Sequence, residues 1–216
     1  MAIDRKLIDG AIYCAEHSSG YATEEAKEIT GLDNPNSVAQ LKVWLTEKTG
    51  KQIESLSKEA VEDMLNADIP EKVRTVLELR QGLGKTSTKK YNTMISAACE
   101  DNRIRGVLQF YGANRTGRWA GRLVQVQNLP RTYIGGKMLE LARKYTKEKN
   151  IEALKLLYGN VSDILSQLVR TAFIPEKGKL FVDADFSAIE ARVVAWLAGE
   201  NWVLEVFKTH GKIYEA

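Results

Sequence analysis

The sequence predicts an α+β fold, mostly α-helical, with a small antiparallel sheet. Three observations predict it. Apolar residues recur at helical spacing through most of 2–101 and again over 134–173 and 186–209. One stretch, 106–130, is rich in Val, aromatic residues and Gly and reads as strands around a glycine turn. A short apolar run, KLFVDAD (179–185), reads as a buried strand ending in carboxylates.

Residues 2–30 carry scattered apolar positions among Ala, Glu and Lys, which predicts one or two helices. GLDNPNS (31–37) is a loop of turn formers. Asn36 or Ser37 is placed to cap the helix that follows, VAQLKVWLTEKT, which stops at Gly50. SLSKEAVEDMLNADIP (55–70) predicts a short helix capped by Ser57, with Pro70 ending it or opening the next. Val73, Val76, Leu77 and Leu79 make another helical stripe. QGLGKTSTKK (81–90) interrupts it, and YNTMISAACED (91–101) resumes helix, so the pair is read as two helices with a basic loop at the tip. After the strands, 134–150, 151–160 and 161–173 are helical, as are 186–200 and the stretch from Asn201. The pattern breaks off at Ala216 without a stop signal, which reads as a fragment.

The composition, 44% apolar and 27% charged over 216 residues, is that of a globular chain able to bury a core. No window nears the ~18 consecutive apolar residues of a membrane span, and the charged start lacks the apolar core of a signal peptide. Cys14 and Cys99 stand far apart without metal-type spacing. They are read as small buried residues in helices, in a reducing cytoplasm. Net charge is +3, but unevenly spread: residues 1–70 carry −6, residues 71–150 carry +11 and residues 151–216 carry −2. Concentrated positive charge suits a polyanion, whose condensed counterions are released on binding; it equally suits a solvated basic surface.

Three segments carry chemistry. In FVDADFSAIEARVVAW (181–196), Asp183 and Asp185 would share a strand face, and Asp185 would sit where a helix begins. Carboxylates there suit Mg²⁺, which prefers oxygen ligands. They suit two-metal phosphoryl transfer, with ions about 4 Å apart. The plainer reading makes Asp185 a helix cap. Ser187 and Glu190 form S-x-x-E, a capping box by spacing. In NRTGRWAGRLVQVQNLP (114–130), Arg115, Arg118 and Arg122 interleave with Gly and Trp119. Arginine's flat fork suits phosphates and base edges, Gln127 and Asn128 suit base edges, and Gly117 permits a tight turn or close approach. The third segment, RQGLGKTSTKK (80–90), contains G-K-T but is no P-loop: Leu79 stands where the first glycine belongs, and a helix rather than a strand precedes it. A basic, hydroxyl-rich loop touching a nucleic-acid backbone fits better.

In this order the segments resemble family A DNA polymerases, the class of bacterial DNA polymerase I and many phage replicative enzymes. Thr116-Gly117-Arg118 matches that family's T-G-R, Gln127-Asn128-Leu129-Pro130 its Q-N-[IL]-P, and Asp185-Phe186-Ser187-Ala188-Ile189-Glu190-Ala191-Arg192 its motif A, D-[YF]-S-x-I-E-x-R. The resemblance is sharp over 103–200 and looser over 31–100, where helix, basic loop, helix is similar to the thumb. It implies an incomplete polymerase fold, with 1–102 a helical thumb region and N-terminal extension, and 103–216 a partial palm.

The resemblance further implies roles. Asp185 would be a catalytic, metal-binding aspartate, with the Phe186 carbonyl helping to hold Mg²⁺. Glu190, with Ser187 beside it, would face the incoming nucleotide and select against a 2′-hydroxyl. Arg118, with Thr116 and Arg115, would contact the primer–template minor groove. Gln127 and Asn128 would lie along the DNA, and Lys85, Lys89 and Lys90 would grip phosphates at the thumb tip. Partners would be primer–template DNA and a dNTP, in the cytoplasm of a bacterium or phage-infected host. About forty residues between Pro130 and Val169, where bacterial enzymes are shorter, resemble the phage-type subgroup. Tyr214 stands where the bacterial pattern has histidine. The later motifs, a fingers helix and an H-D-E segment, are missing from the sequence, as is an exonuclease domain. The expectation is a chain that does not polymerise by itself and whose half palm pairs with itself through its exposed core. The alternatives are a non-catalytic DNA-binding module and an inactive phage remnant.

Overall fold

The computed structural model describes residues 1–83, 88–209 and 211, packed as two units, Met1–Lys177 and Gly178–Ala216. Among the described residues there are ten α-helices and two small antiparallel strand pairs, a mostly helical α+β fold as predicted. No helix among them is long and apolar enough to cross a membrane.

In the first unit, β1 (Ala2–Ile3) leads into α1 (Arg5–Thr30), a single helix where the sequence allowed one or two. Asp4 caps it: the carboxylate accepts from the Leu7 N–H at 3.2 Å, meeting one of the donors every helix start leaves open. The helices α2 (Val38–Thr49), α3 (Lys58–Asn66) and α4 (Glu71–Leu83) follow the predicted stripes. Ser37 rather than Asn36 caps α2, and Ser57 caps α3. Pro70 opens α4, its carbonyl accepting from Val73 and Arg74. Leu41, Trp44, Leu45, Val61, Val73, Val76 and Leu77 close a core of their own.

After α5 (Lys89–Ala97) come the paired strands β2 (Leu108–Ala113) and β3 (Arg118–Gly121), then α6 (Gly136–Lys147), α7 (Ile151–Tyr158), α8 (Val161–Leu168) and β4 (Phe173–Ile174). β4 pairs with β1, Ala2 opposite Ile174. α1 lies at the centre, packed on α4, α5, α6 and α8. Its buried Leu7, Ile8, Ala11 and Cys14 join Tyr91 and Met94 of α5, Ala142 of α6, and Ile164, Leu165 and Leu168 of α8 in the larger core. The Tyr91 hydroxyl donates to the Leu165 carbonyl at 2.6 Å, so the largest fully buried side chain keeps its polar end satisfied.

α1 and α6 meet backbone to backbone. A Cβ at Gly10 would lie 2.1 Å from the Thr146 carbonyl oxygen, so only hydrogen fits there. Beside this crossing, the Asp4 carboxylate receives Arg143 at 2.8 Å and Lys147 at 2.7 Å, both from α6. Arg143 also donates to the Thr171 carbonyl.

Two expectations are corrected. Cys14 is buried in α1, but Cys99 is exposed and follows the end of α5, in the turn where Cys99 N–H meets the Arg103 carbonyl. The run 179–185 is neither buried nor a strand: Leu180 is 86% and Val182 91% exposed, and no described residue pairs with that backbone. A strand is made by its partner as much as by its own apolar residues. The second unit is instead a helix pair, α9 (Ile189–Ala198) and α10 (Asn201–Thr209), closed over Ala195, Val203 and Phe207.

Gly10→Ala is expected to lower the urea midpoint by the equivalent of about 1–3 kcal/mol, since two helix backbones must move apart. Gly20→Ala, in the same helix with nothing within 4 Å of the new Cβ, is expected to leave stability unchanged or raise it by about 0.5–1 kcal/mol. Equal losses in both would contradict the close crossing.

Candidate functional site

The residues singled out from the sequence fall on both units. In the first, β2 and β3 form the predicted hairpin, with Gln109 opposite Ala120 and Ala113 opposite Arg118. The register slips between Gln109 and Ala113, where Tyr111 takes φ +51° and makes a bulge. Gly117 meets both of its predicted demands. It turns the chain at φ +66°, and the Tyr111 ring lies so close that a Cβ would come within 2.7 Å of it. Thr116, Arg115 and Arg118 therefore stand at the hairpin tip, all exposed.

The loop after β3 turns back through a short 3₁₀ turn, Val126–Asn128. Gln127 lays its side chain on Gly121, whose absent Cβ would fall 2.1 Å from it. Asn128 donates to the Gln125 side chain at 3.3 Å. Both remain exposed. Lys90, in the first turn of α5, donates to the Val124 carbonyl at 2.7 Å and so holds this loop down. Lys89 beside it is exposed. Lys85 lies outside the described residues, as does Tyr214. The helix that the P-loop exclusion required before 84 is there, as α4.

In charge this stretch of the sequence is one-sided. From Asn102 to Leu139 the sequence holds no Asp or Glu. It carries Arg103, Arg105, Arg115, Arg118, Arg122, Arg131 and Lys137. Among them Arg105 grips Asp101 at 2.6 Å, and Arg103 meets Glu176 at 3.4 Å. Donation from Arg105 holds the Asp101 carboxyl well below the usual range, at about 2. The absence of acidic residues was legible in the sequence as a local feature finer than the charge of whole segments.

In the second unit, the first helical turn departs from the capping expectation. α9 starts at Ile189, with Ala188 as its cap residue at φ +50° and no side-chain cap bond. Neither the S-x-x-E capping box nor an Asp185 cap forms, because the left-handed Ala188 turns the chain one residue after Ser187. Glu190 sits in the first turn, where a negative charge complements the helix dipole. The turn is held by Arg192, a residue given no role from the sequence. Its Nε donates to the Ser187 carbonyl at 2.8 Å, and its guanidinium lies over the Phe207 ring of α10 at 4.3 Å. Its only sequence signal was its place in the motif A match.

Asp183 and Asp185 are exposed on the extended segment before this turn, with no strand to align them on one face. The Asp185 carboxylate and the Phe186 carbonyl are hard oxygens of the kind Mg²⁺ prefers. Among the described residues no group of three or more His, Cys, Asp or Glu comes together to hold a metal. The donor set fits such an ion in kind and is partial.

Residues 15–216 match the sequence profile of DNA polymerase family A. The chain belongs to that family. It is 59% identical over 214 residues to the DNA polymerase of Bacillus phage SP02, covering 99% of this chain and 33% of that protein. It is 28% identical over 197 residues to DNA polymerase I of Lactococcus lactis subsp. lactis (strain IL1403), covering 88% of this chain and 18% of that protein. The chain thus spans about a third of the length of its phage family A relative and under a fifth of the bacterial one. No solved structure matches it significantly. The family match opens inside α1, so the start of the central helix, with Asp4 and Gly10, lies before it.

Two outcomes are expected. In NMR titration Asp101 should titrate near 2, and in Arg105→Ala its pKa should rise toward the ordinary carboxylate range. The stabilisation from this pair is then present above about pH 4 and lost as pH falls toward 2. Arg192→Ala should speed hydrogen exchange over 186–198 and cost about 1–2 kcal/mol, through the lost carbonyl bond and ring contact. Unchanged exchange there would remove Arg192 as the anchor of the turn.

Proposed function

We propose that this chain supplies the primer–template grip and part of the catalytic palm of a template-directed DNA polymerase. The observation that carries it is the ordered set Thr116-Gly117-Arg118, Gln127-Asn128-Leu129-Pro130 and Asp185 to Arg192 in a chain 59% identical to a phage DNA polymerase. In this reading 1–102 serves as the thumb region and 103–216 as the partial palm. The division is one of function, since α1 packs on α6 and α8 across it.

Each residue has a task suited to its setting. Arg118, Arg115 and Thr116 at the hairpin tip hold the minor groove near the primer end. Gln127 and Asn128 continue that contact along the duplex, and Gln127, seated on Gly121, is presented in one orientation. Lys89, with Lys85 and Lys90, neutralises phosphates, Lys90 doing so while also tying the 122–128 loop to α5. Glu190, with Ser187 beside it, excludes a ribose 2′-hydroxyl from the nucleotide site. In the synthetic reaction the primer 3′-hydroxyl attacks the α-phosphate of a dNTP and pyrophosphate leaves. Asp185 and the Phe186 carbonyl would hold Mg²⁺, which when bound offsets charge developing on the phosphate oxygens. What this chain contributes directly is position: Arg192 holds the Ser187 carbonyl and so sets where the motif leaves its turn.

A second reading, which rests on the later polymerase motifs not appearing in this sequence, is that the 216-residue chain binds DNA without extending it. The exposed apolar residues of the second unit, Leu180, Phe181, Val182, Val194, Trp196 and Leu197, then also favour pairing with a second copy.

Binding of the purified chain to a fluorescent primer–template is expected to weaken steeply with salt. Arg118→Ala should lower affinity about tenfold, while Asp185→Asn leaves it within twofold. No dNTP addition is expected with Mg²⁺ present. Extension by the isolated chain would overturn the non-catalytic reading, and absence of duplex binding would overturn the grip.

A further inference from the structure

The β2–β3 hairpin exposes Arg115 and Arg118. Its other exposed feature is aromatic. Phe110 of β2 is 72% and Trp119 of β3 60% exposed. They meet across the hairpin, within the stretch where the register slips between Gln109 and Ala113. Their rings meet edge to face, with centroids 5.3 Å apart and planes at 69°. Nothing in the two cores requires them there. Exposed aromatics cost solubility and are usually buried, so a pair of them at a hairpin tip calls for an occupant.

The scaffold beneath the pair is stiff. A Cβ at Gly112 would lie 2.5 Å from the Ala120 Cβ, so the strands already sit as close as their side chains allow. Tyr111 is locked over Gly117 by the bulge. Trp119 is thus presented by a closely packed strand and Phe110 by the bulge beside it, which lowers the entropy cost of using them.

We propose that Phe110 and Trp119 form a stacking site for an unpaired nucleobase of single-stranded DNA, beside the arginines that hold its backbone. The choice of occupant follows from charge. A protein partner covering this face would need an apolar patch ringed by carboxylates, since no acidic side chain lies between Asn102 and Leu139. Single-stranded DNA brings both complements in one molecule: a π-face for each ring, and a phosphate for a basic side chain of the same stretch such as the exposed Arg122. Aromatic platforms within a basic groove are the general physical solution to binding unpaired strands, and they tolerate any base because every base has a π-face. The inference rests on the DNA-binding reading and assigns to these two rings the contact with the unpaired end.

The test compares a blunt duplex with a duplex of the same length bearing a short unpaired oligo-dT overhang, by fluorescence anisotropy at fixed salt. The full chain, Trp119→Ala, Phe110→Ala, Trp119→Phe and Arg118→Ala are measured, each first checked for an unchanged thermal melt. The full chain should bind the overhang substrate about tenfold more tightly than the blunt one. Trp119→Ala and Phe110→Ala should remove that preference while leaving blunt-duplex binding intact, and Trp119→Phe should restore most of it. Emission quenched by oligo-dT should be present in the full chain and reduced in Trp119→Phe. If Arg118→Ala loses binding but the aromatic variants keep the preference, the stacking site is wrong and the DNA grip stands. If the full chain binds neither substrate, both readings fall. If sedimentation shows an oligomer that Trp119→Ala makes monomeric, the face is a contact between copies and the proposal is overturned.

Discussion

Asp4 is the residue on which the first unit's arrangement turns. A single carboxylate caps the central helix α1 and receives Arg143 and Lys147 from α6. Its own N–H donates to the Ala172 carbonyl at 2.8 Å. Breaking one arm would leave a largely buried charge short of partners, which costs more than the bond itself contributes. The Gly10 crossing follows from the same seam, because α1 and α6 drawn together at Asp4 touch backbone to backbone one turn and a half later. The hairpin inherits its footing from this clasp. Met1 and Ala2 bond to Arg103 and Ile104 on one side, while β1 pairs with β4 on the other.

That footing lets a small hairpin present much polar and aromatic surface without a core of its own. Its two faces are specialised by different chemistry. The tip and following loop carry cations with few local carboxylates to neutralise them, and the aromatic pair carries polarisable area. Close glycine contacts at 112, 117 and 121 show where the ladder gives up side-chain volume for tight packing. Lys90 illustrates how one side chain serves fold and charge together, its ammonium anchoring a loop while remaining part of the basic segment.

The second unit is organised by a cation rather than by a large core. Arg192 bridges the Ser187 carbonyl and the Phe207 face, so the turn after Phe186 is tied to α10. Among its described residues three buried side chains form the core, and the exposed apolar run before it lacks a strand partner among the described residues. Both features are consistent with a chain spanning about a third of its phage relative.

The sequence by itself determined the helices, their caps at Ser37 and Ser57, the hairpin with its turn at Gly117, and the family, because capping chemistry, periodicity and motif order are local properties. It grouped the arginines of the hairpin with its glycine turn for the same reason. It did not show that 2–30 is one helix with four helical neighbours, since a helix with small and apolar residues on several sides reads as a weak stripe. It misread 179–185 as a buried strand: apolar alternation says what a segment would bury, and only a neighbouring strand decides whether it does. The seam at Asp4 and Gly10, the anchor at Arg192 and the pairing of Phe110 with Trp119 were decided by tertiary structure alone, because each joins residues whose separation along the chain carries no signal of their contact.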